Sequence, residues 1–316
     1  MKGYGPTDPL QTPRFAGIST FLRLPHTTHL DGVDVAFVGL PFDTGVSFRA
    51  GARFGPKAIR EVSLSIRPDY NMSQRVALFE RLSVIDYGDS PVVPGFIDRS
   101  FDKITTALCA VHEAGAVHIG FGGDHSVLLA ELRASAATHG PVALIQFDAH
   151  CDTWDEYFGE KYTHGTAVRR AVEEGLVDAA RSTLMGLRGG LFGPGDLDDA
   201  RELGFTVIPW DDLAQLGTGA VAAAVERAGG KAFLTFDIDF VDPAFAPGTG
   251  TPECGGPSSM QALALLRACR GLQIIAADVV EVLPDLDSSH LTATLAATVA
   301  WEILSLVAVT MPVGAA

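Results

Sequence analysis

Asp148, Ala149, His150, Cys151 and Asp152 directly follow an apolar run, Val142 to Phe147, that reads as a buried strand. If the extended backbone continues, side chains alternate, so Asp148, His150 and Asp152 share one face while Ala149 and Cys151 take the other. A second, mostly apolar run, Phe233 to Phe236, leads into Asp237 and Asp239, again two apart, and His125 closes a Gly-Gly-Asp-His turn. Four carboxylates and two imidazoles form an oxygen and nitrogen donor set without thiolate. That set suits divalent cations, manganese first, with nickel, cobalt or zinc also compatible. The charge of four aspartates matches two such ions, and without them the carboxylates would repel one another and some would take up protons. Two neighbouring cations can make a shared water acidic near neutral pH, so the chemistry indicated is hydrolysis. One aspartate behind a strand commonly caps a turn; three clusters, each behind a strand, argue for a site.

The elements that must hold these residues alternate along the chain. Strands are predicted at Val35 to Leu40, Leu82 to Ile85, Ala116 to Phe121, Val142 to Phe147, Thr183 to Leu187, Phe205 to Pro209, Ala232 to Phe236 and Ile274 to Val279. Between them lie helical patterns such as Phe96 to Ala114, where Ile97, Phe101, Ile104, Leu108 and Val111 recur at three- and four-residue spacing. About eight strands, many apolar on both faces, predict an α/β fold with a mostly parallel sheet covered by helices, a three-layer α/β/α arrangement. A (β/α)8 barrel competes with it on element count alone. In either, His125, Asp148, Asp237 and Glu281 sit just past the carboxyl ends of strands, where such folds place ligands. No linker or repeat is evident, so 1–316 reads as a single domain. Residues 1–30, proline-rich but carrying Phe15, Ile18, Phe21 and Leu22, read as an arm packed on the body or on a neighbouring subunit.

Composition narrows the function classes. With 38 acidic against 23 basic residues the net charge is -15, which argues against nucleic acid as a partner. No uninterrupted apolar run approaches the roughly 20 residues that span a bilayer, and Met1 to Arg14 lacks a signal-peptide pattern, so no membrane partner is expected and the cytoplasm is the expected location. Cys109, Cys151, Cys254 and Cys269 show no close pairing, consistent with a reducing compartment.

The motifs Gly122 to Ser126 (G-G-D-H-S), Asp148 to Asp152 (D-A-H-C-D), His164 to Thr166 (H-G-T) and Asp237 to Glu253 (D-I-D-F-V-D-P-A-F-A-P-G-T-G-T-P-E) resemble those of the ureohydrolases, the arginase and agmatinase family. The resemblance covers the chain from about Pro13 to its last helix. It implies the open three-layer fold, a homo-trimer or homo-hexamer (a hetero-oligomer remaining open), and a binuclear manganese centre that hydrolyses a guanidinium group to urea and an amine. It further implies one cation held by His125, Asp148, Asp152 and Asp237 and another by Asp148, His150, Asp237 and Asp239, with Asp148 and Asp237 bridging. His164 matches the family's proton-shuttling histidine, whose imidazole titrates near neutral pH. Glu281 matches the glutamate that binds the guanidinium, which a carboxylate can grip through two parallel bonds. Asp124 is expected to orient His125, Pro247, Gly248, Gly250 and Pro252 to shape a loop, and Cys151 to face away from the chemistry. His26, His29, His112, His118, His139 and His290 belong to no motif.

Within the family the stretches Pro13 to Pro25 and Tyr157 to Thr166 are most similar to the guanidinopropionase and guanidinobutyrase branch, which lies near agmatinase. The expected substrate is an omega-guanidino acid, whose carboxylate Lys161 or Arg23 could meet. Asp155, Glu156 and Glu160 would equally suit the amine of agmatine. Leu283 to Asp287 departs from that branch's pattern beside the expected guanidinium site, which keeps an N-substituted guanidine or biguanide among the alternatives. A non-catalytic or weakly active subunit of a ureohydrolase assembly is a further alternative, against which the intact ligands, His164 and Glu281 speak.

Overall fold

In the first strand, β1 (Val35–Leu40), Val35 and Phe37 join one hydrophobic layer while Ala36, Val38 and Leu40 join the other, because successive side chains point to opposite sheet faces. The same division recurs along the central strands of the computed structural model, which describes residues 3–311. The strands are β1, β2 (Tyr70–Asn71), β3 (Val76–Ala77), β4 (Val84–Asp89), β5 (Val117–Gly122), β6 (Ala143–Phe147), β7 (Thr183–Leu187), β8 (Thr206–Pro209), β9 (Lys231–Asp237) and β10 (Gln273–Val280). The helices are α1 (Gly55–Ser63), α2 (Ile97–Glu113), α3 (Val127–His139), α4 (Ala167–Glu173), α5 (Asp196–Glu202), α6 (Trp210–Leu216), α7 (Thr218–Ala228), α8 (Ser259–Arg267) and α9 (Leu291–Thr310).

Eight strands form one sheet in the order β4-β1-β5-β10-β9-β6-β7-β8, and every pairing in it is parallel. The sheet is open, with β4 and β8 at its edges, so the barrel alternative falls away. Residues of α1, α7, α8 and α9 pack on one face and those of α2, α3, α4 and α5 on the other, giving the expected three layers. The late strands β9 and β10 insert between β5 and β6. That insertion places the carboxyl ends of β5, β10, β9 and β6 side by side, and His125, Glu281, Asp237 and Asp148 follow or end those four strands.

Two details escape periodicity. Strands β2 and β3 form a two-residue antiparallel hairpin, too short to carry an alternation signal. Helix α9, with the turn before it, is long and apolar enough by composition to cross a membrane, although Thr, Ser and Glu302 interrupt its sequence. Its side chains are mostly buried in the core, against β10 and the helices α1 and α8. The arm divides: Phe21 and Leu22 are fully buried beneath α1, whereas Phe15 and Ile18 are 88% and 87% exposed on this chain.

Candidate metal centre and active site

The strand before Asp148 ends at Phe147, so Asp148 to Asp152 converge by a turn and not by continued strand alternation. Asp148 Oδ1 accepts from the backbone N–H of His150 at 2.6 Å, a local bond that bends the chain away from extended geometry. Asp152 then adopts a left-handed φ of 52°, and Glu281, just past β10, one of 62°. Such backbone is costly for residues with a side chain, and it concentrates where a fold must aim one. Cys151 is buried in the layer that α2 to α5 cover. His125 is delivered by the turn after β5, where a Cβ on Gly123 would sit 1.5 Å from the Phe42 carbonyl oxygen; only glycine lets these segments pass.

The ligand-type atoms gather in two groups. His125 Nδ1 lies 3.0 Å from Asp148 Oδ2, 2.8 Å from Asp152 Oδ2 and 3.4 Å from Asp237 Oδ2. His150 Nδ1 lies 3.0 Å from Asp239 Oδ2 and 3.6 Å from Asp148 Oδ1. Asp148 thus turns one oxygen to each group, and the triads His125/Asp148/Asp152 and Asp148/His150/Asp239 each bring their donor atoms within 4.8 Å of one another. Asp237 holds the Asp239 backbone N–H at 2.8 Å through its Oδ1, which leaves Oδ2 for the His125 side. Gln146, not singled out by any motif, donates to Asp148 Oδ2 at 2.7 Å and steadies it.

The protonation pattern suits cations. His125 Nε2 sits 2.8 Å from the Thr235 hydroxyl, which donates its own hydrogen to Asp278 at 2.6 Å, so Nε2 must carry a hydrogen. In the neutral ring Nδ1 is then a lone pair aimed at three carboxylates, all acceptors converging on one space. Burial opposes charge on His125 and His150, yet their aspartates push both well above the ordinary histidine value. Burial first, then neighbouring carboxylates, raises Asp152, Asp237 and Asp239, whereas the two histidines outweigh burial to lower Asp148. The groups that favour a proton here are groups that divalent ions would bind in its place.

Glu281 and His164 meet beside this centre. Glu281 Oε1 accepts from the His125 backbone N–H at 2.9 Å and from His164 Nδ1 at 2.9 Å, while Oε2 is buried with no partner. The other ring nitrogen, His164 Nε2, lies 3.1 Å from the Ser47 N–H and 2.7 Å from the Ser47 hydroxyl. Burial disfavours a charged His164, but Glu281, Asp152 and Asp124 prevail and push it to about 9. The Ser47 amide needs an unprotonated Nε2, which identifies the neutral ring with its hydrogen on Nδ1 once cations offset the carboxylates.

Several expectations need correction. Asp124 does not orient the His125 ring: it binds the Gly45 and Ser126 backbone N–H groups and the Ser126 hydroxyl, and Thr235 holds the ring instead. Burial and the nearby Glu281 push Asp124 up to about 7. Arg23 is buried in the arm, its guanidinium donating to the carbonyls of Thr7 and Thr12, so it is spent on structure. Asp155 is paired with Arg170, which weakens the acidic count in the loop, while Lys161 is exposed beside Asp155. The unusual flank has a structural explanation: Leu283 is buried and pairs with the Gly248 carbonyl, and Asp287 caps α9 through the N–H groups of Thr292 and Ala293 at 2.8 Å each. Ser47 and Arg188 carry no sequence signal. Arg188 spends its guanidinium on the carbonyls of Gly186, Asp239, Phe240 and Glu253, which braces the Asp239 turn.

Residues 33–305 match the model of the Arginase family. The chain belongs to that family. It is 44% identical to a guanidinopropionase of Pseudomonas aeruginosa over 96% of both chains, and 43% identical to a mitochondrial agmatinase of Gallus gallus over 92% of this chain and 86% of that one. Among solved structures, the proclavaminate amidinohydrolase of Streptomyces clavuligerus superposes with a TM-score of 0.90 at 40% identity, covering 95% of this chain and all of that one. As an arginase-family member the protein is an amidinohydrolase, a hydrolase of C–N bonds, and enzymes of this family use a binuclear metal centre. The two His/Asp groups that share Asp148 are where this chain can hold one.

Proposed function

We propose that this chain hydrolyses the guanidinium group of an omega-guanidino acid, guanidinobutyrate or guanidinopropionate, to urea and an amino acid, with two manganese ions. His125, Asp148, Asp152 and Asp237 would hold one ion, and Asp148, His150, Asp237 and Asp239 the other. When bound, such ions supply Lewis acidity and a water acidic enough to attack near neutral pH. The observation that carries the reading is Glu281 Oε2, a buried carboxylate oxygen with no partner, on a side chain bonded to the His125 turn. A planar guanidinium can donate its N–H groups to that oxygen and so present its carbon in a fixed orientation. His164, with Nε2 free of hydrogen and held by Ser47, is placed to take up at Nε2 the proton that the attacking water gives up and to pass it to the departing amine, which cannot leave as an anion.

A carboxylate-tailed substrate is supported by the rim. The loop that carries Ser47 continues into Phe48 and Arg49, both exposed, with the Arg49 guanidinium stacked 5.2 Å from the Phe48 ring. Arg49 enters no ion pair among the described residues and can meet a distal carboxylate. Relatives named guanidinopropionase, guanidinobutyrase and guanidino acid hydrolase support the same class. In this reading the whole chain acts as one catalytic domain in the cytoplasm, where four free thiols are at home, and as a trimer or hexamer that covers Phe15 and Ile18.

Urea release from guanidinobutyrate, guanidinopropionate, agmatine, arginine and a biguanide, after manganese loading, tests the reading. The two guanidino acids should turn over with the highest kcat/KM, and Arg49→Met should raise KM for them more than for agmatine. Absence of urea from every guanidino compound with two ions bound would overturn it.

A further inference from the structure

Behind His125, on the Nε2 side away from Asp148, Asp152 and Asp237, a buried polar chain runs through the sheet. Thr235 links His125 to Asp278. Asp278 neighbours Glu131 of α3, and Glu131 Oε1 lies 3.2 Å from His118 Nε2. His118 Nδ1 in turn lies 3.0 Å from His112 Nε2, which also meets the Ser135 hydroxyl at 3.2 Å. Thr235, Asp278, Glu131 and His118 are wholly buried. Room for the two acids comes from Gly120 in β5: a Cβ there would fall 2.3 Å from Glu131 Oε1 and 3.3 Å from the Asp278 Cβ.

Hydrogen counting along this chain leaves one arrangement. Burial, with the neighbouring His112 and His139, keeps His118 neutral, so no cation faces Glu131 from β5 or α2. A neutral His118 accepts from His112 on Nδ1 and donates from Nε2 to Glu131 Oε1. Burial raises both carboxyls; His125, beyond Thr235, favours their charge, but in its neutral form with the hydrogen on Nε2 it gives them no full counterion, so the two adjoining acids do not both ionise. The oxygens Glu131 Oε2 and Asp278 Oδ2 are the ones left buried without a conventional partner, and a proton between them satisfies both. Asp278 Oδ1 accepts from the Thr235 hydroxyl and, at 3.3 Å, from the Phe236 N–H, whereas Glu131 accepts only from a neutral imidazole. The anion therefore rests on Asp278 and the hydrogen on Glu131.

We propose that Glu131 and Asp278 share one buried proton, and that the single negative charge on Asp278, passed through Thr235, keeps the His125 hydrogen on Nε2 and its Nδ1 lone pair towards the metal centre. Glu131, Asp278 and Thr235 are positioning residues: they touch neither substrate nor ion, but they set the tautomer and basicity of a residue that does. The metal half of this inference rests on the two-ion reading; the shared proton does not.

Infrared spectroscopy and metal titration test the halves separately. At mildly alkaline pH, with manganese or without it, the difference spectrum of wild type minus Glu131→Gln should show the carbonyl stretch of one protonated carboxylic acid; its absence overturns the shared proton whatever the metal content. Glu131→Leu strips Asp278 of its donor and Thr235→Val cuts the link, so each should weaken binding of one ion about ten- to a hundredfold. Glutamine has the donor and acceptor pattern of a neutral glutamic acid, and serine restores the hydroxyl, so Glu131→Gln and Thr235→Ser should recover affinity to within about threefold. Unchanged affinity in Thr235→Val and Glu131→Leu, with both proteins folded by circular dichroism, would overturn the positioning role. A wild type that binds no metal would instead overturn the two-ion reading.

Discussion

Glu281 Oε1 sits 2.9 Å from His164 Nδ1, and this single pairing divides the work of the carboxylate: one oxygen fixes a titratable ring, the other stays buried and unpartnered. Replacing the acid by its amide keeps the shape but removes the charge and half of the acceptor capacity. Glu281→Gln should cost about 3 kcal/mol of transition-state binding, on the order of a hundredfold in kcat/KM. Metal content should be unchanged. Steady-state kinetics beside metal analysis check this, and a variant that loses its metals would reassign Glu281 to holding the His125 turn.

His164→Ala removes the proton relay without touching either His/Asp group. The expected result is a fall in kcat of about a hundred- to ten-thousandfold with two ions still bound. Ser47→Ala deletes the hydroxyl contact at 2.7 Å but keeps the backbone N–H donor, so its loss should stay below about tenfold. If both variants lose activity equally, the orientation of the ring and not its proton carries the effect.

The ligand-type residues were readable because each cluster is compact in sequence and sits behind a strand with a clear apolar signature. What the sequence could not convey is how the turns work. Asp148 to Asp152 looked like strand alternation, but a side-chain bond to His150 and the left-handed Asp152 produce the convergence. Asp124, adjacent to His125 in sequence, was expected to hold its ring; Thr235, far away in sequence, does so because β9 lies two strands from β5 across β10. Ser47, Gln146 and Arg188 act through contacts that only the tertiary fold creates. Arg23 reads as a partner for a substrate carboxylate, but the arm's own carbonyls at Thr7 and Thr12 consume its donors.

The buried histidines give the protein an acid limb. Burial first, and the charge of His139 second, hold His112 down to about 4 from an ordinary value of 6.5. Between those values the unfolded chain binds a proton that the folded chain does not, so stability is full above pH 6.5 and falls as pH drops to about 4. The size is up to about 3 kcal/mol. Denaturant unfolding of wild type and His112→Gln across that window should show a shallower decline in the variant. Parallel declines would mean that His112 does not titrate in this way.

Metal occupancy should itself depend on pH in the opposite way to protonation. His125 and His150 are pushed well above the ordinary histidine value when only protons balance the aspartates, so each ion that binds must displace protons. Calorimetric titration in two buffers of different ionisation enthalpy should reveal proton release on manganese binding, and affinity should fall as pH is lowered. Binding with no proton release would contradict the lone-pair assignment of His125 and His150.

The central claim is that Asp148 joins two ion sites into one hydrolytic centre, and stepwise manganese titration of the metal-free protein, read by urea release from guanidinobutyrate, tests it most directly. Activity should appear only between the first and second equivalents per chain, and Asp148→Ala should retain neither full stoichiometry nor activity. Full activity at one equivalent, or two ions bound unchanged in Asp148→Ala, would contradict it.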